Sequence, residues 1–151
     1  MKKSVPKSDC ACLALRQAAR MVTQFYGAEL DGRIEIPQFG LLSVLEARPG
    51  SNQTALARIL NLDKTTLSRN LKLMEKNGWI ERASSDDLRE RGFHLSAAGR
   101  NLLRAARPGW RRAQKKFQAA LGGQWEAMWQ VLGNIKDSTQ KTSGVNRRSA
   151  R

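Results

Sequence analysis

The chain has 151 residues, 40% of them hydrophobic, which is enough for one folded domain but leaves long peripheral helices in need of a partner to cover them. Its 27 Lys and Arg against 13 Asp and Glu give a formal net charge of +14, which points to a polyanionic partner: nucleic acid or an anionic surface. No apolar run approaches the roughly 18 residues of a membrane span, and the N-terminal MKKSVPKSDCACLALRQ lacks a signal-peptide core, so a cytoplasmic chain with no membrane partner and reduced thiols is expected.

The first predicted element is a long helix over residues 9–30, with Ser8 or Asp9 as its cap and Cys12, Leu15, Ala19, Val22 and Tyr26 at helical spacing. DGRIEIP breaks it, and Pro37 opens a second helix whose Phe39, Leu42 and Leu45 repeat every three residues until Pro49-Gly50 ends it. Leu56, Ile59 and Leu60 mark a short amphipathic helix. Asn61-Leu62-Asp63 then makes a tight connection, with Asp63 capping a further helix over 64–77 that carries Leu67, Leu71 and Met74 on one face. Two short helices joined in this way form a helix-turn-helix pattern.

Residues 79–83 and 92–96 read as two strands joined by the charged SSDDLRER segment, so a wing follows the helix-turn-helix. A helix over 97–121 comes next, with a kink expected at Pro108-Gly109 and a stop at Gly122-Gly123. The last predicted helix runs from Gln124 to about Ile135 with Trp125, Met128, Trp129 and Leu132 on its stripe, and the basic tail 137–151 has almost nothing to bury. The expected fold is therefore mainly α with a small β-hairpin wing. It comprises a winged helix-turn-helix over 37–96, dimerisation helices over 9–36 and 97–136, and a disordered tail, within a single domain.

On the 64–77 helix the apolar face must point inward, which turns Thr65, Thr66, Ser68, Arg69 and Lys72 outward. Short hydroxyls reach phosphates and base edges at close approach, and Arg grips guanine O6 and N7 in two places, so this set suits a DNA major groove. In the wing, Asp87 is placed to brace Arg89, and Arg89 or Arg91 to follow phosphates or enter the minor groove. The bland alternatives are a solvated helical face and a solvated charged loop.

The stretch PQFGLLSVLEARPGSNQTALARILNLDKTTLSRNLKLMEKNGWIERASSDDLRERGFHLSAAGRNLL resembles the MarR family of bacterial transcriptional regulators. The wing's Asp87 and Arg89 and the run Leu95, Ser96, Gly99 carry the likeness, which extends over about residues 9–136. The resemblance implies a homodimer interlocked through its terminal helices, binding palindromic double-stranded DNA and usually repressing. It assigns base or phosphate contacts to Thr65, Thr66, Ser68 and Arg69, and wing contacts to Arg89 or Arg91. A nonspecific DNA-compacting protein is the rival reading, since the net charge alone suffices for sequence-independent binding.

The opening CACLALRQAARMVTQFY holds both cysteines and the one tyrosine. No metal is expected there, because two thiols and the lone His94 fall short of four zinc ligands. Cys12 and Tyr26 lie within about 40° on one helical face but roughly 21 Å apart along it, so only antiparallel first helices of a dimer would bring them together. Their positions resemble those of the organic-hydroperoxide-sensing branch of the family, where a cysteine held by the partner's tyrosines is oxidised. A further tyrosine of that branch falls on Arg16, whose guanidinium one turn after Cys12 favours a thiolate, and Cys10 could resolve an oxidised Cys12. The alternative is that Cys12 is a small packing residue. By the same resemblance, an aromatic or phenolic ligand would bind between the first helix, the Phe39 helix and the Trp110 helix. Trp110, Trp125 and Trp129 are the candidates to line such a cavity, the alternative being core packing, and Arg16 or Arg20 to meet a carboxylate, the alternative being ordinary exposed arginines. No cofactor and no catalytic residue is expected: there is no phosphate loop, no nucleophile with a base and no recognisable carboxylate pair.

Overall fold

The computed structural model describes residues 10–83 and 92–146, with side chains as far as Thr139. They form two compact units, one ending at Ala113 and one beginning at Gln114. The first unit opens with α1 (Ala11–Ala28), which has Cys10 at its cap position and no side-chain cap bond; the expected caps Ser8 and Asp9 lie outside the described residues. α2 (Ile36–Ala47) begins through a reciprocal box: the Glu35 side chain accepts the backbone N–H at Gln38, and the Glu35 N–H donates to Gln38 Oε1 at 3.2 Å. Pro37 sits in the first turn, where its missing N–H breaks no helical bond.

The two following helices are fixed by short polar side chains at their starts. Asn52 Oδ1 accepts from Ala55 N at 2.9 Å to begin α3 (Gln53–Leu60), and Asn61 ends that helix in the left-handed region at φ 50°. Asp63 begins α4 (Lys64–Lys76) by accepting from Thr66 N at 2.8 Å. Gly78, at φ +71°, then turns the chain into β1 (Ile80–Arg82). β1 pairs antiparallel with β2 (Phe93–Leu95) in the register Ile80 to Leu95, Glu81 to His94 and Arg82 to Phe93. An isolated bridge joins Phe93 to Ser51. One core unites these parts, with Leu42, Leu56, Leu67, Met74 and Leu103 fully buried together with Phe93 and Leu45.

α5 (Ala97–Leu121) begins where Ser96 Oγ accepts from Gly99 N at 3.0 Å and donates to Gly78 O at 2.6 Å. This is the physical content of the Leu-Ser-x-x-Gly run: the serine caps the helix and ties it to the turn before the hairpin. A Cβ on Gly99 would lie 1.9 Å from Trp79 O, so only glycine lets α5 approach the strand entry. Gly109 plays the same part further along, since a Cβ there would lie 2.1 Å from Glu29 O at the end of α1. α5 stays helical through Pro108.

In the second unit, the end of α5 leads through a 3-10 turn (Gly122–Gln124) into α6 (Trp125–Asn146). Phe117 meets Trp125 edge-on at 6.2 Å, and Trp125 meets Trp129 at 5.5 Å. α6 passes the end expected near Ile135 and continues through residues assigned to a disordered tail. The polar residues there contain no proline, and Thr139 Oγ1 donates to the Ile135 and Lys136 carbonyls within the helix. Residues 147–151 lie outside the described residues.

Candidate nucleic-acid interface

Helix α4 is two-sided. Leu67, Leu71 and Met74 are fully buried, and at 100° per residue the opposite side presents Thr65, Arg69, Lys72 and Lys76 in one line, all exposed. Lys76 belongs to this line although the sequence reading omitted it, and its spacing four residues after Lys72 was the available signal. Ser68 is half-buried at the edge of the line.

Thr66 is exposed, but its hydroxyl donates to Asp63 Oδ2 at 2.6 Å and its N–H to Asp63 Oδ1 at 2.8 Å. Those two bonds, the hydroxyl's first, hold the Asp63 carboxyl below the usual carboxylate range. The Thr66 proton is thereby committed to the cap, leaving that side chain only lone pairs for a ligand. Thr65, Arg69, Lys72 and Lys76 keep their donors for a phosphate or base edge. Asp87, Arg89 and Arg91 of the wing lie outside the described residues.

At the root of the hairpin, Arg82 faces α4. Its Nε donates to Glu75 Oε1 at 2.5 Å and its Nη2 to Glu75 Oε2 at 3.1 Å, while its guanidinium carbon stands 5.0 Å from the Phe93 ring centroid. The bond to Glu75 raises the arginine's pKa above its ordinary value.

A pocket of about 460 Å³ opens between α2 and α5 in the first unit. Phe39 and Trp110 stack in its wall at 5.8 Å and 20°, with Ile36 and Ser43 beside them and Arg107 and Arg111 contributing positive charge. Arg107 is ion-paired with Glu46, and Arg111 is exposed. Trp110, which the sequence offers as part of a ligand wall, is among the residues lining this pocket, whereas Arg16 and Arg20 are not. Trp125 and Trp129 pack against one another in the second unit.

Cys10, Cys12 and Arg16 are exposed on α1, and Tyr26 is half-buried, its hydroxyl pKa raised by burial. α1 buries no residue; Met21 is 63% exposed, and Leu13, Leu15 and Phe25 are also uncovered. On α6, Trp129, Val131 and Leu132 are exposed as well. Among the described residues no group of three or more His, Cys, Asp or Glu is placed to hold a metal, and no helix is long and apolar enough to cross a membrane.

Residues 34–90 match the MarR family model. The chain is 29% identical over 119 residues to the transcriptional regulator HosA of Escherichia coli O111:H-, spanning 78% of this chain and 87% of that protein. Among solved structures it is similar to the M. tuberculosis transcriptional regulator MosR in complex with DNA, with 30% identity, a TM-score of 0.79, and coverage of 89% of this chain and 98% of that one. It also shares its fold with MarR itself at 19% identity and a TM-score of 0.70, over 93% of this chain and 98% of that one.

Proposed function

Because the chain belongs to the MarR family of transcriptional regulators, we propose that it is a homodimeric repressor. In this reading it grips palindromic DNA through α4 and the wing, and lets go when an aromatic anion fills the α2–α5 pocket. The protein is a regulator and not an enzyme. The observation that carries the DNA-binding part is the division of α4, whose buried Leu67, Leu71 and Met74 turn Thr65, Arg69 and Lys72 outward in one line. MosR, which shares 30% of its sequence with this chain, has been crystallised with DNA. Thr66 and Ser68 complete the proposed contact set at its edge, with Arg89 and Arg91 acting from the wing and Asp87 bracing it.

The dimer reading is supported by the uncovered apolar side chains of α1 and α6: Leu13, Leu15, Met21 and Phe25 on one helix, and Trp129, Val131 and Leu132 on the other, are exposed, and grouped apolar surface of this kind marks interaction faces. Two α4 helices in a two-fold dimer would enter successive major grooves about 10 bp apart.

The ligand reading rests on the stacked Phe39 and Trp110 beside Arg107 and Arg111. Flat rings stack on the aromatic wall, and a carboxylate meets a guanidinium by two parallel hydrogen bonds. A second reading, release by hydroperoxide, is favoured by one observation: the Cys12 thiol is exposed on α1 of the single chain, on a helix that in the dimer reading meets its partner. In that reading Arg16 stands near the reacting thiol, the partner's first helix brings Tyr26 toward it, and Cys10 resolves the oxidised sulfur.

The test is selection of a bound duplex from random DNA, followed by release assays. One palindrome should emerge with a sharp preference over competitor DNA. Uniform affinity with a steep salt dependence would support nonspecific binding instead. Benzoate-type anions should release the duplex and change Trp110 fluorescence. Release by an organic hydroperoxide that disappears in Cys12→Ser would select the cysteine route.

A further inference from the structure

Arg82 and Glu75 lie outside the contact set on α4, and nothing in that set explains their arrangement. Glu75 stands in the last turn of α4, and Arg82 is the final residue of β1. Their pairing is a fork on a fork, with two parallel bonds of 2.5 and 3.1 Å, and the guanidinium is fixed from a second direction by the Phe93 ring at 5.0 Å.

Phe93 is itself held from several sides. It is 1% exposed, it is the register partner of Arg82, its N–H donates to Ser51 O at 3.0 Å and its carbonyl accepts from Gly50 N at 3.0 Å. Gly50 and Ser51 lead directly into the Asn52 cap of α3. One residue of β2 thus anchors the entrance of the helix-turn-helix through its backbone and the exit through Arg82.

We infer that Arg82 is a positioning residue for DNA recognition: clamped on Phe93, it holds the C-terminal turn of α4 through Glu75 and so fixes the tilt at which Arg69 and Lys72 meet the groove. The pair is half-exposed, with side-chain exposures of 45% and 26%, and pairs in such settings add little to stability. Its geometry is more specific than stability would require. A lysine would keep the charge but lose both the fork and the flat face that rests on Phe93. The inference rests on the reading of α4 as the DNA-contacting helix.

The charge of Glu75 gives a test with a decisive sign. If Arg82 merely added positive charge near DNA, removing the neighbouring carboxylate would strengthen binding to a polyanion. If Arg82 positions α4, the same change must weaken it.

Glu75→Gln and Arg82→Lys should each lose about tenfold in affinity for the selected palindrome, in the middle of the range for coupled contacts. Affinity for a scrambled duplex, the melting midpoint and the slope of affinity against salt should stay as in the wild type. Unchanged or tighter binding of the palindrome by Glu75→Gln would overturn the inference. So would a salt slope reduced by about one in Arg82→Lys, the mark of a lost phosphate contact, or a melting collapse in both variants. Arg69→Ala measured alongside separates the two levels. If its sequence preference is unchanged, α4 is not the reading element and both proposals fall; if the preference is relaxed while Glu75→Gln binds normally, only the positioning role falls.

Discussion

Asp63 sets the start of the helix on which the proposed DNA contacts lie. Its carboxylate closes the N-terminus of α4 by accepting two bonds from Thr66, which lower its pKa in the folded protein. A carboxyl with a lowered folded pKa adds stability that is present above its unfolded value, near pH 4, and is lost as pH falls through the folded value. Asp63→Asn should keep the cap, since Asn accepts the same N–H, but flatten this acid limb of the stability profile. Thermal melts of the two proteins between pH 2 and pH 6 would check it, and parallel acid limbs would refute the assignment. Arg69→Ala should lose about 1–3 kcal/mol of specific binding and relax preference at one base pair, whereas Lys76→Ala should weaken all sequences alike and reduce the salt slope by about one.

Among elements, α4 was the most legible in the sequence because three independent signals agreed: an Asp cap, apolar residues on one face, and Asn77-Gly78 at the end. The hairpin strands followed from equally local chemistry, whereas the capping role of Ser96 emerged only with its bonds to Gly99 N and Gly78 O. The pairing of Glu75 with Arg82 was hidden because it depends on the angle that Gly78 sets between helix and strand, which spacing does not encode. Phe39 and Trp110 stood out in the sequence as aromatic, but that Arg107 and Arg111 line a pocket beside them depends on the packing of α5 against α2, which spacing does not encode. α6 ran past its expected end because apolar spacing marks only the part of a helix that packs. Arg107→Ala, which removes one pocket guanidinium, should weaken binding of a benzoate-type anion by about tenfold, the scale of one charge-assisted contact. Trp110 fluorescence titration would measure it, and an unchanged affinity would remove Arg107 from the site.

At the scale of the whole molecule the sequence disclosed less. The apolar stripes of α1 and α6 were readable from periodicity and several of their side chains are exposed, but the cover that the proposed dimer supplies is not a feature of one chain. Replacing Trp125 and Trp129 together by alanine should shift the protein toward monomer in sedimentation analysis, and DNA affinity should fall with it because two half-sites would no longer be gripped at once. A double variant that remains dimeric would place the interface elsewhere. The net charge of +14 was the most accessible clue and the least discriminating one, since it predicts attraction to any DNA and says nothing of sequence. The close approaches at Gly99 and Gly109 carry a consequence for heredity. Every missense change at those two codons adds at least a carbon where a backbone oxygen already sits. Under the proposed repressor role, a genetic screen for constitutive expression of the target genes should therefore recover alleles at both positions, mapping far from the proposed DNA-contacting residues and resembling defects in protein abundance more than defects in recognition.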